Sequence, residues 1–343
     1  MLRLNHETIL KYINDDFFVS EVSYVPMGTS DDPDGNSYTL LRLKKDGYTT
    51  FEALRLVSNF FDLTQDSVHC QGLKDEDGIT DQLISVKAIL SPADLDQFNS
   101  KHRHLEKGWI TIVPNRYSPL PVTEKSLHGN VFNIKLRNFE EPHADKLIEF
   151  CANSPDFVCG NYYDQQRFGL PGGPYIAHKI GEAIVQGDWE AANRLYAKSG
   201  NAQLDFPGHQ AEDTTIDIQN LDPRKLNFFV SAHNSLIWNQ LLSKHIESEA
   251  HIHIFDGHEV SVPDQQQALP LVITSTSYKL GLDRHVASSM KTRTSCISTT
   301  VFASSKLPDD YFKGRYSVDI QSFLPAGSYA TMLLRQFVLS ALS

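Results

Sequence analysis

The segment GLKDEDGITDQ, residues 72–82, sets Lys74, Asp75, Glu76 and Asp77 side by side ahead of Gly78, between the strand-like runs SVHCQ (67–71) and LISVKAIL (83–90). A carboxylate held beside an ammonium in a loop between buried strands can attack an electrophilic carbon or take a proton, provided that the fold fixes its position. With an unperturbed pKa of about 3.9, an aspartate is already ionised at neutral pH, so such a site needs placement and a charge partner. The same letters also spell a turn, because Asp beside Gly is common in hairpins. Asp77, which precedes Gly78, fits that role better than Asp75. A pair such as Asp75 and Asp77 could also serve an acidic hydrolase in the manner of glycosidases.

Other chemistries find less support. HIHIFDGH (251–258) alternates His251 and His253 onto one strand face near Asp256 and His258, but no further ligand cluster completes a metal site, and a polar strand face is the expectation. The four cysteines, Cys70, Cys151, Cys159 and Cys296, are too few and too irregular for a disulfide framework or a zinc knuckle, which points to a reduced, cytoplasmic protein. With no P-loop, dinucleotide glycine fingerprint or nucleophile elbow, no metal and no cofactor are expected. No apolar run approaches the roughly 18 residues of a membrane helix. The start, MLRLNHETILKYINDD, turns acidic before a signal-peptide core could form, so no membrane partner and no processing are expected.

Forty-two acids against 31 bases give a net charge of -11, which weighs against charge-driven adhesion to nucleic acid or anionic membrane. It leaves room for a local basic groove. LRLKK (41–45), KHRHLEK (101–107) and DRHVASSMKTR (283–293) could build one through Lys44, Lys45, Arg103, Arg284 and Arg293, although each such cluster is more often just a solvated face.

The elements that must position these residues read as α+β. DFFVSEVSYV and SYTLLRLKK have strand composition and flank the turn-rich TSDDPDGN (29–36). TTFEALRLVSNFFDL reads as a helix capped by Thr49 or Thr50, with Phe51, Leu54, Val57 and Phe61 on its apolar face. SPADLDQF is a second helix, with Ser91 at the cap and Pro92 in the first turn. GWITIVPNRY and NVFNIKLRNF are strands, and EPHADKLIEFCANS is a helix. Beyond about residue 170, helical patterns dominate (YIAHKIGEAIVQ, DWEAANRLYAKSG, RKLNFFVSAHNSLIWNQLLSKHIESE), followed by an irregular Ser/Thr-rich stretch over 273–305. SVDIQSFLPAGSYATMLLRQFVLSAL returns to strand, turn and helix, as if rejoining the first domain.

Several of these segments together resemble the TruD family of tRNA pseudouridine synthases. LKYINDDFFVSE (10–21) is similar to the family's lysine followed by a D-F-x-V-x-E strand, LKKDGYTTFEAL (43–54) to its lysine, turn, threonine and helix, and GLKDEDGITDQ to its G-x-K-D…T-x-Q loop. HGNVFNIKLR (128–137) resembles the G-N-x-F strand, and NYYDQQRFG (161–169) the N-Y-F-G-x-Q-R-F-G signature. SAHNSLIWNQ (231–240) resembles the insertion-domain helix, and LPAGSYATMLLRQ (324–336) the C-terminal L-P-A-G-S-[FY]-A-T turn.

The resemblance implies a pseudouridine synthase fold: a mixed, largely antiparallel sheet with flanking helices over residues 1–169 and 312–343, and an inserted α/β TruD-specific domain over 170–311. It implies an isomerase that converts uridine to pseudouridine in tRNA, typically at position 13, as a monomer without metal, cofactor or obligate protein partner. The alternative is a catalytically reduced member that binds or folds RNA. Asp75 matches the catalytic aspartate and Lys11 its basic partner; Phe17, Tyr163 and Tyr329 fall at positions expected to line the base pocket. Asn161 is expected to hydrogen-bond the base or the loop that carries it, Arg167 to support the QRFG loop or a phosphate, and Phe168 to pack. Departures from the pattern are Tyr163 for phenylalanine, Asp164 for glycine, Asn234 in the insertion-domain helix, Gln336 for glutamate, and the acidic pair Glu76 and Asp77. The Tyr163 hydroxyl needs a partner if buried, and if position 164 requires positive φ an aspartate is tolerated there better than most residues, though less well than glycine.

Overall fold

The computed structural model describes residues 2–3, 8–24, 26–31, 37–169, 174–198, 216–246, 248 and 250–343. Most of the expected turn at 29–36, the proposed domain boundary at 170 and the ends of two helical patterns (199–200, and 247 with 249) lie outside them. Met1–Asp156, Thr299–Gly327 and Ser340–Ser343 form one compact unit, and Phe157–Ser298 with Ser328–Leu339 a second.

The first unit is built on a sheet whose strands lie in the order Trp109–Ser118, Tyr38–Asp46, Ile79–Val86, Phe17–Ser23, Leu127–Phe139, Tyr316–Pro325. Neighbours run antiparallel except Phe17–Ser23 beside Ile79–Val86, which are parallel with Phe18 opposite Ile79. Parallel neighbours need a long crossover, and here it carries the helix Thr50–Phe60, the short strand Val68–Cys70 and the Asp75 loop. Leu41, Leu43, Ile84, Val86, Ile110 and Ile112 point to one face, where Ala53, Val57, Leu95 and Phe98 of the helices Thr50–Phe60 and Pro92–His102 pack on them. Both helices start with a capping box. Thr49 Oγ1 accepts from Glu52 N while the Glu52 carboxylate accepts from Thr49 N; that second bond, with those from Lys107 and the Thr49 hydroxyl, holds the Glu52 carboxyl down at about 2.

Three expectations need correction. Phe51 is exposed; the inward face of its helix is Thr50, Ala53 and Val57, because Thr50 turns in to bond the Asp75 loop. The strand after that loop is Ile79–Val86, so Ile79, Thr80, Asp81 and Gln82 belong to the sheet and Lys87–Leu90 do not. The Ser/Thr-rich stretch is regular, comprising the antiparallel pair Val272–Leu280 and Val286–Thr294, then Cys296–Ala303. Threonine suits a pleated surface, and the alternation that marks a strand is faint where neither face is buried, as along Val286–Thr294.

In the second unit the long helix Pro223–His245 packs on Ala177–Gln186 through Ile180, Ile184, Leu226, Phe229 and Val230. Gly181 permits the close crossing, since a Cβ there would sit 1.9 Å from Phe229 O. A second cluster, Tyr162, Phe168, Trp238, Leu242, Phe255 and Met332, lies under the NYYDQQRFG loop. Asn234 and Asn227 tie the helix to the backbone of Tyr278 and Leu280 by paired amide bonds, which accounts for an asparagine at 234. Among the described residues no helix is long and apolar enough to cross a membrane, and no cluster of His, Cys, Asp and Glu could hold a metal.

Candidate active site

The candidate residues fall into two groups, one in each unit. In the first unit Lys11 Nζ meets Asp75 Oδ2 at 2.6 Å, with the lysine side chain 16% and the aspartate side chain 37% exposed. Asp75 is thus open to solvent on one side and tied on the other. Lys11 has φ 55, a left-handed backbone that lysine rarely adopts, and its ammonium lies over the Phe17 ring at 3.9 Å from the centroid. Strain of this kind persists where neighbours over-determine the geometry, and it is concentrated at functional sites. Phe17 is itself buried against Phe132, so it forms the floor beneath the lysine.

The loop is fastened on every side. Lys74 Nζ reaches the buried Glu21 carboxylate at 2.5 Å, whose other oxygen accepts from Leu83 N at 3.0 Å. Lys74 N donates to Thr50 Oγ1 at 2.8 Å, and Gln82 Nε2 to Gly72 O at 3.2 Å. Lys45 Nζ donates to the main-chain carbonyl of Asp75 at 2.6 Å. Gly78 ends the loop against the neighbouring strand, where a Cβ would stand 2.8 Å from Phe17 O. Asp77 and Glu76 are exposed; Glu76 faces Lys107 at 3.5 Å. Of the three acids only Asp75 is paired with Lys11, which distinguishes it from the exposed Asp77.

In the second unit Asn161, Tyr163, Arg167 and Tyr329 come together around a residue that the sequence reading placed elsewhere, Arg293. Its guanidinium bonds Asn161 Oδ1 at 2.5 Å and the Tyr163 hydroxyl at 3.1 Å, and lies over the Tyr163 ring at 4.3 Å. Burial lowers its pKa below the ordinary guanidinium value, with Tyr163 and Tyr329 opposing the shift. The Tyr163 hydroxyl therefore has its partner. Its ring meets Tyr329 edge-on at 5.7 Å, and burial raises the Tyr329 pKa. Asn161 Nδ2 donates to Thr294 O at 2.9 Å, and Asn239 pairs with both main-chain groups of Tyr163 at 2.9 and 2.8 Å. Arg167 donates to Ser235 and Ser231 on the long helix, in support of the loop, and Phe168 is fully buried.

The departures have local explanations. Asp164 has φ -83, so no positive φ is required; it caps the 3-10 turn from Gln165 and faces Arg335 at 3.6 Å. Gln336 accepts from Gly160 N at 2.7 Å and donates to Gly160 O at 3.1 Å, a two-way role that an amide fills and a carboxylate does not.

A family model described as tRNA pseudouridine synthase D (TruD) matches residues 5–205. The chain belongs to the TruD family. A relative from Methanococcus maripaludis named "Probable tRNA pseudouridine synthase D 1" is 23% identical, with 94% of this chain and 97% of that protein aligned. Another from Sulfurimonas denitrificans, named tRNA pseudouridine synthase D, is 25% identical over 75% of this chain and 60% of its own length. A solved structure from Methanosarcina mazei described as "Putative tRNA pseudouridine synthase D (TruD)" superposes with a TM-score of 0.62 at 18% identity, covering 99% of this chain and 96% of that one, which shows the shared fold.

The sequence alone did not reveal Lys45 and Glu21 as neighbours of the Asp75 loop, nor Arg293 as the centre of the second group. The first two had a signal. Leu41, Leu43 and Lys45 share one strand face, as do Phe17, Val19 and Glu21, so each charge continues a buried apolar series at period two. Lys45, assigned above to a basic groove, is buried, and Arg293 is half-buried with its guanidinium bonded to Asn161 and Tyr163; that assignment is corrected for both, while Arg103 is exposed and Lys44 half-exposed.

Proposed function

We propose that this chain isomerises uridine to pseudouridine in tRNA, with Asp75 as the carboxylate that acts on the target nucleotide. The observation that carries this reading is the Lys11–Asp75 pair, in which a half-exposed carboxylate is oriented by one ammonium on a loop fastened at several points. In the reaction the bond from N1 to the ribose C1′ breaks, the uracil turns over, and C5 bonds to C1′. The proton leaves C5 and N1 gains one, so nothing is oxidised or reduced. Asp75 acts as nucleophile at C1′ or as base at the 2′ position; either role needs the ionised carboxylate that Lys11 favours.

A uridine stacked within folded tRNA must be swung out before a carboxylate can reach its sugar, and flat side chains are suited to hold it. We assign that holding to Tyr163 and Tyr329, with Phe17 supporting Lys11, and Asn161 and Arg167 fixing the loop beneath Tyr163. The proposal includes position 13 as the target, a monomeric cytoplasmic enzyme, and residues 170–311 as an inserted domain. Asp75→Asn tests the core of it: pseudouridine formation on tRNA transcripts falls at least ~1000-fold, in the range seen when a group acting in the transition state is lost, while tRNA affinity stays within about threefold. Full activity in that variant ends the assignment, and mapping the product nucleotide by sequencing decides the position.

A further inference from the structure

Lys45 ends the buried series Leu41, Leu43, Lys45 on its strand, and its side chain is wholly enclosed. An ammonium in such a place is destabilising unless its donors are met. The acceptors it meets are main-chain carbonyls, Asp75 O at 2.6 Å and Lys74 O at 3.5 Å, rather than a carboxylate. The charged groups around it are Asp75, Lys74, Glu76 and Asp46. Three of these are engaged elsewhere: Lys74 with Glu21, Glu76 with Lys107, and Asp46 with Asn14. A methionine would fill similar volume without the desolvation penalty. What only the ammonium supplies is a grip on the carbonyl of Asp75 and a second positive charge near its carboxylate.

We propose that Lys45 is a positioning residue for the isomerisation, holding the Lys74–Asp75 main chain so that the Asp75 carboxylate is presented in one place beside Lys11. Lys11 holds the side chain; Lys45 holds the backbone that carries it. Thr50 holds the same segment through Lys74 N, so the peptide between Lys74 and Asp75 is clamped on both sides.

A pH dependence with a distinctive sign follows. Burial pushes the Lys45 ammonium down from 10.5 to about 8, with Asp75 opposing the shift. Above that pH the charge-assisted bond to Asp75 O becomes a weaker neutral one. Between about 8 and the unfolded value the native state binds fewer protons than the unfolded state, so this group makes stability rise with pH. The rate should fall where the stability contribution of Lys45 improves, which a purely structural lysine would not produce.

The test compares wild type with Lys45→Met in three measurements. Amide exchange of the peptide 72–82 should quicken at least ~5-fold in the variant while strand peptides keep their protection. The single-turnover rate of pseudouridine formation should drop at least ~10-fold with tRNA affinity within about twofold and no loss in urea midpoint. The wild-type rate should decline through pH 8, and the variant should lack that decline. Unchanged exchange at 72–82 overturns the proposal whether or not the protein makes pseudouridine, so this arm stands apart from the isomerase reading, on which the two rate measurements rest. A rate within twofold of wild type, a wild-type rate flat from about pH 7 to 9.5, or stability falling together with rate also overturns it.

Discussion

Gln336 offers a perturbation whose size can be worked from its bonds. Its side chain is wholly buried, Oε1 accepts from Gly160 N at 2.7 Å, and Nε2 donates to Gly160 O at 3.1 Å and Met332 O at 3.0 Å. Gly160 O keeps a second partner in Tyr162 N, whereas Gly160 N would lose the partner described for it. Gln336→Leu should therefore cost about 1–3 kcal/mol for the orphaned N–H and about 1 kcal/mol for the weakened carbonyl, ~2–4 kcal/mol in total. Gln336→Glu adds a pH signature. A carboxylate there accepts from Gly160 N but turns its second oxygen toward two carbonyls, so the folded state favours the protonated acid and its pKa rises above the unfolded value. The stability associated with that proton is fully present below the unfolded pKa of about 4.3 and is lost as pH rises through the folded pKa. Urea unfolding at intervals from about pH 4 to 8 should show Gln336→Glu near wild type in acid and progressively weaker toward neutrality, while Gln336→Leu stays weakened throughout. A leucine variant within about 0.5 kcal/mol of wild type, or a glutamate variant whose deficit does not grow with pH, refutes the reasoning.

Tyr163→Phe should remove the bond from Arg293 at 3.1 Å but keep the ring contact, with ~1 kcal/mol lost and a single-turnover rate within about threefold. A fall of ~100-fold would place the hydroxyl in the chemistry instead. Lys44→Glu with Arg103→Glu should weaken tRNA binding and reduce the slope of log affinity against log salt by about 1–2, since each phosphate contact adds ~0.9. Reversal at the buried Lys45 or at Arg293, which is bonded to Asn161 and Tyr163, should lower the urea midpoint instead, and an unchanged slope in the Lys44 and Arg103 pair removes both from the RNA-binding surface.

Local order along the chain was written in residue types. Ser91 and Pro92 start a helix, Thr49 and Glu52 start another, and Leu41 and Leu43 choose the inner face of a strand, because capping and side-chain alternation involve neighbours a few positions apart. The G-x-K-D and QRFG motifs could be read for the same reason, and with them the TruD family and the candidate carboxylate, Asp75. The helix at Thr50 marks the limit of local reading. Apolar spacing favours Phe51 facing inward, but a bond from Lys74 N, 24 residues away, turns Thr50 in and leaves Phe51 in solvent. Partnerships were decided by tertiary structure alone: Lys11 with Asp75 across 64 residues, Lys45 with the Asp75 carbonyl across 30, Arg293 with Asn161 across 132, and Gln336 with Gly160 across 176. Residue type states that a buried charge or amide must be met, since leaving it unmet costs more than a typical contact contributes. Which group meets it depends on where the sheet and the long helix bring the backbone, and that is set by the packing of the whole core.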